Sequence, residues 1–389
     1  MEMDSRTRVI VALDRRPPDR VPIDLGGNQT GIHVKAYVNL LEQLGIVDER
    51  IVLSSFSQQL AKPSEAVLER FHIDTRWIRP LSNYMDYEKM KPQHEHGYIG
   101  QYDQFGVFWG NIDTKDLRDI LYYDPVIHPL EQATTVQEVE QFSWPSGTNG
   151  KPFNGLKDVA RAFHDKTSYA VCSTAVSNTF ELCTFLFGFT RAMKLVRLKP
   201  ELLDAAMKEL MQYWIDYIST YFDQVGKYID VVCINSDLAS QNGPLINPAF
   251  YEQHVKPVDK KIVQHLKRVA PHVKINFHSC GSVPAFIPHF MDLGYDSINP
   301  VQVSAYDMEP CSLKKRFGKS IAFFGGLCDT QHTLPFGTPE QVRDEVRKNI
   351  NCFKPGGGYV AANIHNITAE VPAKNIIAMF DAAKEFGNY

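Results

Sequence analysis

His278 and Cys280, two residues apart in the segment VKINFHSC, offer two ligands for one metal ion. Alternating side chains of a strand share a face, and two rises separate such Cα atoms by about 6.6 Å. An imidazole nitrogen and a thiolate at this spacing can bind the same ion, and zinc accepts both. Because a catalytic zinc ion takes three protein ligands, the pair predicts a zinc site with one ligand still to be found.

The third ligand is predicted to be His365, with Cys328 as the alternative. In the segment YVAANIHN, alternation places His365 on the face opposite to Val360 and Ala362. The more polar face is expected to look toward the active site, which favours His365. The sequence GGLCD around Cys328 does not indicate which way that thiol points.

The same residues permit other interpretations. Cys280 could be a small buried apolar residue beside a packed histidine, and the polar side chains could form a solvated hydrogen-bond network without chemistry. A cysteine nucleophile with His278 as its base is a further alternative. Side chains two apart on a strand lie parallel, which suits joint coordination better than proton transfer between them.

Further polar residues fall at or near the ends of predicted strands and are candidates for the same site. Asp237 is predicted to be catalytic together with His365, and Asp24 to bind substrate. Gly26 and Gly27 are expected to form a tight loop that directs Asn28 and Gln29 across the mouth. Gln241 is predicted to add a hydrogen bond at the rim.

The elements that must position these residues alternate between short apolar runs and longer amphipathic ones, which is typical of βα units. The predicted strands are 21–25, 74–80, 168–174, 231–237, 273–280, 296–300, 321–328 and 359–366. The predicted helices are 32–44, 64–72, 178–197, 200–225, 247–268, 282–293, 338–352 and 372–386. This order predicts an α/β fold, a single (β/α)8 TIM barrel over residues 1–389, whose active site lies at the carboxyl ends of the strands.

Two segments depart from this rhythm. The first thirty residues predict an N-terminal extension with a short helix and the turn RRPPDR before the first strand. Residues 81–150, rich in Tyr, Asp, Gly and Pro, predict a lid-like insertion after strand 2, with a hairpin around Phe105-Gly106. Aromatic residues of this insertion either line the mouth or serve packing alone; they are Tyr84, Tyr87, Phe105, Phe108 and Trp109.

Composition excludes several classes of protein. The 389 residues are 44% hydrophobic and 22% charged, as in globular chains, and the net charge of −4 comes with no basic block, which argues against nucleic acid as a partner. The N-terminus has no continuous apolar run of the kind a signal peptide or membrane span needs, so we expect a cytoplasmic protein without membrane association. Seven widely spaced cysteines predict reduced thiols.

Five segments together resemble the uroporphyrinogen decarboxylase superfamily, nearly end to end. They are RTRVIVALDRRPPDRVPIDLGG, FHIDTRWIRP, SDLASQNGPLINPAFYEQHVKP, INFHSCGSVPAFIPHFMDLGYDSINPVQ and GGGYVAANIHNITAEVPAKNIIAMFDAA. The resemblance implies a (β/α)8 barrel. It also implies one of two activities: cofactor-free decarboxylation in haem synthesis, or zinc-dependent methyl transfer to or from a corrinoid protein.

Particular residues separate the two branches. Decarboxylases of the superfamily carry Arg-Gln-Ala-Gly-Arg after the first strand, whereas this chain has GGNQTGIH there and lacks arginines to hold a polycarboxylate. The methyltransferases carry His-x-Cys-Gly after strand 5, which matches His278-Ser279-Cys280-Gly281, and a Cys near the end of strand 8, where this chain has His365. The resemblance also matches Asp237 to an acidic residue of many relatives. It places Asp74 at the start of a strand whose counterpart carries an essential Asp in the decarboxylases, so Asp74 is predicted to bind substrate.

At these residues the resemblance implies a methyltransferase that moves a methyl group between a small methylated substrate, or a thiol, and a corrinoid protein. The chain has no Asp-x-His-x-x-Gly cobalamin motif, so the corrinoid is expected on a partner protein. The alternatives are a metal-free decarboxylase of a smaller acid that uses Asp237 or Asp74 with His365, and a non-catalytic binding barrel. A homo-oligomer is compatible with the sequence.

Overall fold

A curled sheet of parallel strands forms the centre of the molecule. The computed structural model describes residues 2–47, 50–80, 85–86, 92–113, 120–174 and 178–389. In chain order the strands are β1 (Ile32–His33), β2 (Val52–Ser55), β3 (Leu60–Ala61), β4 (Thr75–Ile78), β5 (Met85–Asp86), β6 (Gln93–Glu95), β7 (Tyr98–Tyr102), β8 (Phe108–Ile112), β9 (Asp124–Ile127), β10 (Ala170–Ser173), β11 (Val231–Asn235), β12 (Ala239–Ser240), β13 (Gly243–Pro244), β14 (Lys274–His278), β15 (Ser297–Asn299), β16 (Ala322–Phe324) and β17 (Tyr359–Val360). The central sheet has the order β17-β16-β15-β14-β11-β10-β4, and each neighbouring pair is parallel.

The first predicted strand is reduced to a short bridging segment that lies between the two edges of this sheet. Ile23 forms a parallel bridge with Ala361, just after β17, and its carbonyl accepts a hydrogen bond from the Asp74 amide, just before β4. The segment therefore joins the first and last strands and completes a TIM-barrel-like fold. The predicted fold class is confirmed.

Helices cover the outside of the sheet. They are α1 (Ser5–Leu13), α2 (Val34–Leu44), α3 (Glu65–Arg70), α4 (Val136–Glu140), α5 (Leu156–Lys166), α6 (Phe180–Phe187), α7 (Phe189–Leu198), α8 (Pro200–Val225), α9 (Pro248–Phe250), α10 (Lys256–Val269), α11 (Ile287–Leu293), α12 (Pro310–Phe317), α13 (Thr333–Phe336), α14 (Pro339–Phe353) and α15 (Ala373–Phe386). The helix predicted over 178–197 is two helices, because the chain turns at Gly188 with φ of +80°. Among the described residues, no helix combines the length and apolar character needed to cross a bilayer.

Helix α1 closes the amino-terminal end of the barrel. Its residues Val9, Ala12 and Leu13 are buried in one apolar cluster with Ala170 and Val231, which begin two of the parallel strands. The site therefore lies at the opposite end of the barrel, where the strands have their carboxyl ends. The short helix predicted in the first thirty residues therefore has a structural role as a plug.

The insertion contains an antiparallel sheet in the order β6-β7-β8-β9. Its central hairpin pairs Tyr102 with Phe108 and turns at Gly106, where φ is +78°, so the hairpin predicted around Phe105-Gly106 is confirmed. Phe105 and Phe108 are buried, and the Trp109 ring contacts Phe185 of α6. These three aromatic residues therefore contribute to packing, whereas Tyr84 and Tyr87 lie outside the described residues.

Two features differ from the sequence prediction. Three strands of a second antiparallel sheet, β1-β3-β2-β5, lie between residues 25 and 74, where we predicted no strand, and the fourth, β5, lies in the insertion. Cys311 and Cys352 form a disulfide between α12 and α14, with Cα atoms 4.7 Å apart, so the expectation of reduced thiols is wrong at this pair. The number and spacing of the cysteines cannot reveal such a pair, because it is the packing of two helices that brings the two thiols together.

Candidate metal centre and active site

Strand β14 places His278 at the carboxyl end of the barrel, on its inner face. Ile275 and Phe277 point outward into the main core, where the Phe277 ring stacks on Tyr295 at 4.5 Å between centroids. Asn276 and His278 occupy the other face, and both side chains bond to neighbouring strands of the sheet. The predicted alternation of β14 is therefore observed in the structure.

Asn299, at the end of the neighbouring strand β15, selects the tautomer of His278. The Asn299 amide Nδ2 donates to the carbonyl of Phe324 at 3.0 Å, so its Oδ1 faces His278 Nδ1 at 2.5 Å. An amide oxygen can only accept, so Nδ1 carries the ring proton. The lone pair of His278 is then on Nε2, which is the nitrogen that faces the site.

Cys280 follows the strand and points at that nitrogen. Its Sγ lies 3.5 Å from His278 Nε2, and its backbone amide donates to Asp237 Oδ1 at 2.8 Å. The next residue, Gly281, has φ of +81°, and a Cβ there would lie 2.4 Å from the carbonyl oxygen of Ser240. Glycine is therefore required for the tight turn that holds the thiol in place.

His365 lies beside His278 and Cys280, but strand alternation does not explain why its side chain points there. Val360 and Ala362 lie in the apolar cluster inside the barrel, whereas Ala361 belongs to the outer core. The predicted inward and outward faces of this segment are thus reversed. His365 reaches the site because β17 has already ended and because its own φ is +58°. This left-handed conformation is uncommon for a residue other than glycine.

The three side chains form a compact donor set. One ligand atom from each of His278, Cys280 and His365 lies within 4.8 Å of the others, and the two imidazole centroids are 5.3 Å apart. Cys328, the alternative third ligand, is fully buried near the Glu345 carboxylate and is outside this set. The structure therefore favours His365 over Cys328.

Burial controls the protonation of these donors. It lowers the pKa of His278 to about 4, against the hydrogen bond to Asn299. Burial and the neighbouring His278 lower the pKa of His365 to about 4 as well. Burial, followed by the charge of Asp237, raises the pKa of the Cys280 thiol well above its usual value. Both imidazoles are thus ready to bind a cation, and the thiol must release a proton to do so.

Two carboxyl groups share one side of the donor set. Asp237 Oδ1 lies 3.8 Å from His278 Nε2. Glu181, near the start of α6, accepts hydrogen bonds from Asn178 at 2.8 Å and from Asn235 at 3.2 Å. Burial and the charge of Asp237 raise the pKa of Glu181 to about 8, and burial raises that of Asp237. This pair therefore retains a proton near neutral pH.

Glu181 was not predicted from the sequence. It stands in the run FELCTFLF, whose composition is that of a buried helix. The sequence does contain one signal for Glu181, a single carboxylate within an apolar run. Burying a charge without a partner costs free energy, so such a residue is a candidate for a functional site.

The predicted substrate-binding residues are dispersed. Gln241 lines a cavity of about 370 Å³ that also contains Cys280, Gly281, Gln302 and His365. Asn28 lines a different cavity, of about 400 Å³, where its Oδ1 accepts a hydrogen bond from Arg79. Gln241 is therefore brought to the donor set, and Asn28 is placed elsewhere among the loops.

Asp24 and Gln29 are buried rather than displayed at the rim. Asp24 accepts a hydrogen bond from Trp77 Nε1 at 2.6 Å and another from the Thr75 hydroxyl. Burial raises the pKa of Asp24 to about 6, despite these bonds. Gln29 is 8% exposed. These contacts give Asp24 a structural role in the barrel wall.

Asp74 lies at the opposite end of the barrel from the donor set. It precedes β4, and its carboxylate bonds to Arg8 at 2.6 Å, to Arg20 at 2.7 Å and to the Ile23 amide at 2.9 Å. The prediction that Asp74 binds substrate is corrected here. A residue before a parallel strand is at its amino end, away from the site.

Comparisons with known proteins identify the family. Residues 125–386 match the uroporphyrinogen decarboxylase (URO-D) family. The chain belongs to this family. It is 26% identical over 201 residues to a uroporphyrinogen decarboxylase of Psychromonas ingrahamii, a match that covers 51% of this chain and 52% of that protein. It is 22% identical over 239 residues to the one of Vesicomyosocius okutanii, covering 60% and 64% respectively.

A solved structure extends the likeness to the whole fold. A methyltransferase from Methanosarcina mazei superimposes with a TM-score of 0.63 and 17% identity, over 99% of each chain. At this identity the likeness concerns the fold alone. The predicted superfamily is thus confirmed, while the curated relatives are matched over only 52% to 64% of their length.

Proposed function

We propose that this protein is a zinc-dependent methyltransferase that moves a methyl group between a small methylated substrate, or a thiol, and a corrinoid carried by a partner protein. The observation that carries the proposal is the convergence of one ligand atom each from His278, Cys280 and His365 within 4.8 Å. This donor set lies at the end of the barrel where such folds perform chemistry.

The donor set fits zinc in both distance and chemistry. Tetrahedral zinc with bonds of about 2.05 Å to nitrogen and about 2.3 Å to sulfur separates these two ligand atoms by about 3.6 Å. The Cys280 Sγ and His278 Nε2 atoms are 3.5 Å apart. Asn299 also holds His278 in the tautomer that leaves Nε2 as a ligand. Zinc bound there would supply Lewis acidity toward the heteroatom that gains or loses the methyl group.

The carboxyl pair of Glu181 and Asp237 can supply the proton that accompanies methyl transfer. A substrate heteroatom that loses its methyl group gains electron density, and a proton can neutralise it. Glu181, with a pKa raised to about 8, holds a proton at neutral pH. Asp237 fixes the Cys280 backbone at 2.8 Å and lies between that amide and His278. In the proposal Glu181 supplies the proton and Asp237 positions the thiol.

The open cavity beside Cys280 would receive the partner's corrinoid. Its rim carries amide and hydroxyl side chains, among them Gln241, Gln302 and Gln331. The chain has no cobalamin motif of its own, so the proposal needs the cofactor to enter from outside. Neutral polar rims of this kind make contacts that can be broken after each turnover.

A metal-free decarboxylase of a smaller acid is the second candidate. The relatives named uroporphyrinogen decarboxylase favour it, as does the carboxyl pair of Glu181 and Asp237 next to neutral His365. The absence of arginine from GGNQTGIH argues against a polycarboxylate as its substrate. The carboxyl pair serves either reaction, so the donor set is the observation that supports methyl transfer over decarboxylation.

Metal analysis of purified protein separates the two candidates. The wild type grown with zinc should hold close to one zinc ion per chain, and Cys280→Ser should lose it. Cys233→Ser is the matched control, since Cys233 is also buried inside the barrel but lies outside the donor set. Transfer of methyl from methylcobalamin to a thiol should disappear with the zinc. A zinc-free wild type that decarboxylates an acid at full rate would replace the proposal with the second candidate.

A further inference from the structure

A second cavity lies on the other side of His365. It has a volume of about 210 Å³ and is lined by His33, Gln58, Leu60, Leu121, Tyr122 and residues 365–370. His365 and Asn366 also line the open cavity that contains Cys280. The donor set is therefore adjacent to two compartments, one open and polar and one smaller.

Three polar side chains that line the smaller cavity, those of His33, Gln58 and Tyr122, are engaged in hydrogen bonds. His33 Nδ1 accepts from the Lys35 amide at 3.1 Å, so its Nε2 donates to the carbonyl of Leu121, also at 3.1 Å. Gln58 Oε1 accepts from Asn366 Nδ2 at 2.9 Å, and the Tyr122 hydroxyl bonds to Gln58. The surface turned toward the cavity is consequently mostly carbon.

The insertion supplies one wall of this cavity. The bond from His33 to the carbonyl of Leu121 attaches the insertion to β1, and the Tyr123 amide donates to the Ser57 carbonyl at 2.8 Å. Leu121 and Tyr122 are 47% and 40% exposed, so they form the outer edge. A segment fixed in this way can discriminate between ligands by shape.

We propose that this cavity holds the body of the methylated substrate, and that the body is uncharged and about the size of one aromatic ring. The inference rests on the proposed function and deepens it. A dry cavity of about 150 Å³ lined by apolar side chains accepts benzene, so one of 210 Å³ has room for a ring with a methoxy or methylthio group. Leu121, Tyr122 and Ala369 are then specificity-determining residues.

Charge supports the exclusion of anions. Among the described residues that line the cavity, none carries a permanent positive charge, and burial lowers the pKa of His33. Glu370 lines the cavity with an exposed carboxylate. A carboxylate placed here would therefore meet no permanent counter-charge and would be repelled by the like charge of Glu370.

The test measures binding of two ring-sized probes to the full-length protein by ¹⁹F NMR. The probes are 4-fluoroanisole, which is neutral, and 4-fluorobenzoate, which is an anion. We expect the neutral probe to bind the wild type at least tenfold more tightly than the anion. Ala369→Phe should fill the cavity and abolish binding, and Leu121→Ala should weaken it at least threefold. Leu198→Ala, which removes an exposed leucine elsewhere, should have no effect.

The Cys280→Ser variant separates this inference from the proposed function. It should lose zinc and still bind 4-fluoroanisole, because the smaller cavity does not contain Cys280. Equal binding of the two probes, or binding that both Ala369→Phe and Leu121→Ala leave unchanged, would overturn the inference while leaving the zinc site standing. If Ala369→Phe does not fold, Leu121→Ala against Leu198→Ala decides the question.

Discussion

Asn299 Oδ1 accepts a hydrogen bond from Nδ1–H of His278, which leaves Nε2 as the unprotonated nitrogen that faces Cys280. Neither residue reveals this from its place in the sequence, because the two are brought together by pairing of β14 with β15. The relationship gives His278 the orientation and tautomer of a metal ligand.

Replacing Asn299 should weaken metal binding even though Asn299 is outside the donor set. Asn299→Leu removes the acceptor, so we expect zinc affinity to fall by about 10- to 100-fold. Asn299→Asp keeps an acceptor at the same position, so its zinc affinity should fall less. Competition with a chelator of known affinity measures the zinc affinity of both variants. Equal losses in the two variants would show that the tautomer of His278 does not matter.

His365 rather than Cys328 should be needed for zinc. His365→Ala removes one of the three donors and is expected to lower zinc affinity by at least 100-fold, while Cys328→Ser should leave it within a factor of three, because Cys328 is buried beside Glu345. Zinc content after dialysis checks this. Retention of zinc by His365→Ala with loss in Cys328→Ser would reverse the assignment.

Asp259 should make the protein less stable as pH rises. Its carboxyl is buried between the Thr179 and Tyr251 hydroxyls, and burial raises its pKa to about 7. The folded state therefore binds more protons than the unfolded state between about pH 4 and pH 7, and the free energy of unfolding falls across that window. Asp259→Asn keeps both hydrogen bonds without the charge, so it should be more stable than the wild type at pH 8.

Urea denaturation from pH 4 to pH 8 measures this effect. The wild type should lose stability relative to Asp259→Asn as pH increases, and the two curves should approach each other near pH 4. Parallel curves throughout would show that folding does not raise the pKa of the Asp259 carboxyl.

Asp74 should matter for stability and not for metal binding. Asp74→Asn leaves Arg8 and Arg20 without their shared buried carboxylate, and breaking such a pair costs about 3–5 kcal/mol. Asp381→Asn, in an exposed ion pair with Arg70, should cost less than about 1 kcal/mol. Denaturant unfolding gives both values. Loss of zinc in folded Asp74→Asn would place Asp74 nearer the site than the structure does.

The sequence predicted the site best where a regular strand carries it. His278 was located because β14 alternates cleanly over its length, from Lys274 to His278. His365 reaches the donor set, but not through the strand alternation from which it was predicted. Strand β17 covers only Tyr359–Val360, and the turn after it reorients the chain. A period-two pattern has no meaning beyond the end of a strand.

The strands and site residues that the sequence did not predict were missed for physical reasons. Strands as short as β1 and β3, two residues each, are too brief to show a period. Glu181 is hidden in an apolar helix, and its partners Asn178 and Asn235 come from separate elements. Asp74 was assigned to the substrate from the family resemblance, although a residue at the start of a parallel strand lies at the end of the barrel opposite the site.

X-ray absorption at the zinc edge, recorded on the zinc-loaded wild type, tests the central claim most directly. The account predicts one sulfur neighbour at about 2.3 Å and two imidazole nitrogens at about 2.0–2.1 Å, with the sulfur lost in Cys280→Ser. A zinc ion with only nitrogen and oxygen neighbours, or a spectrum that Cys280→Ser leaves unchanged, would contradict it.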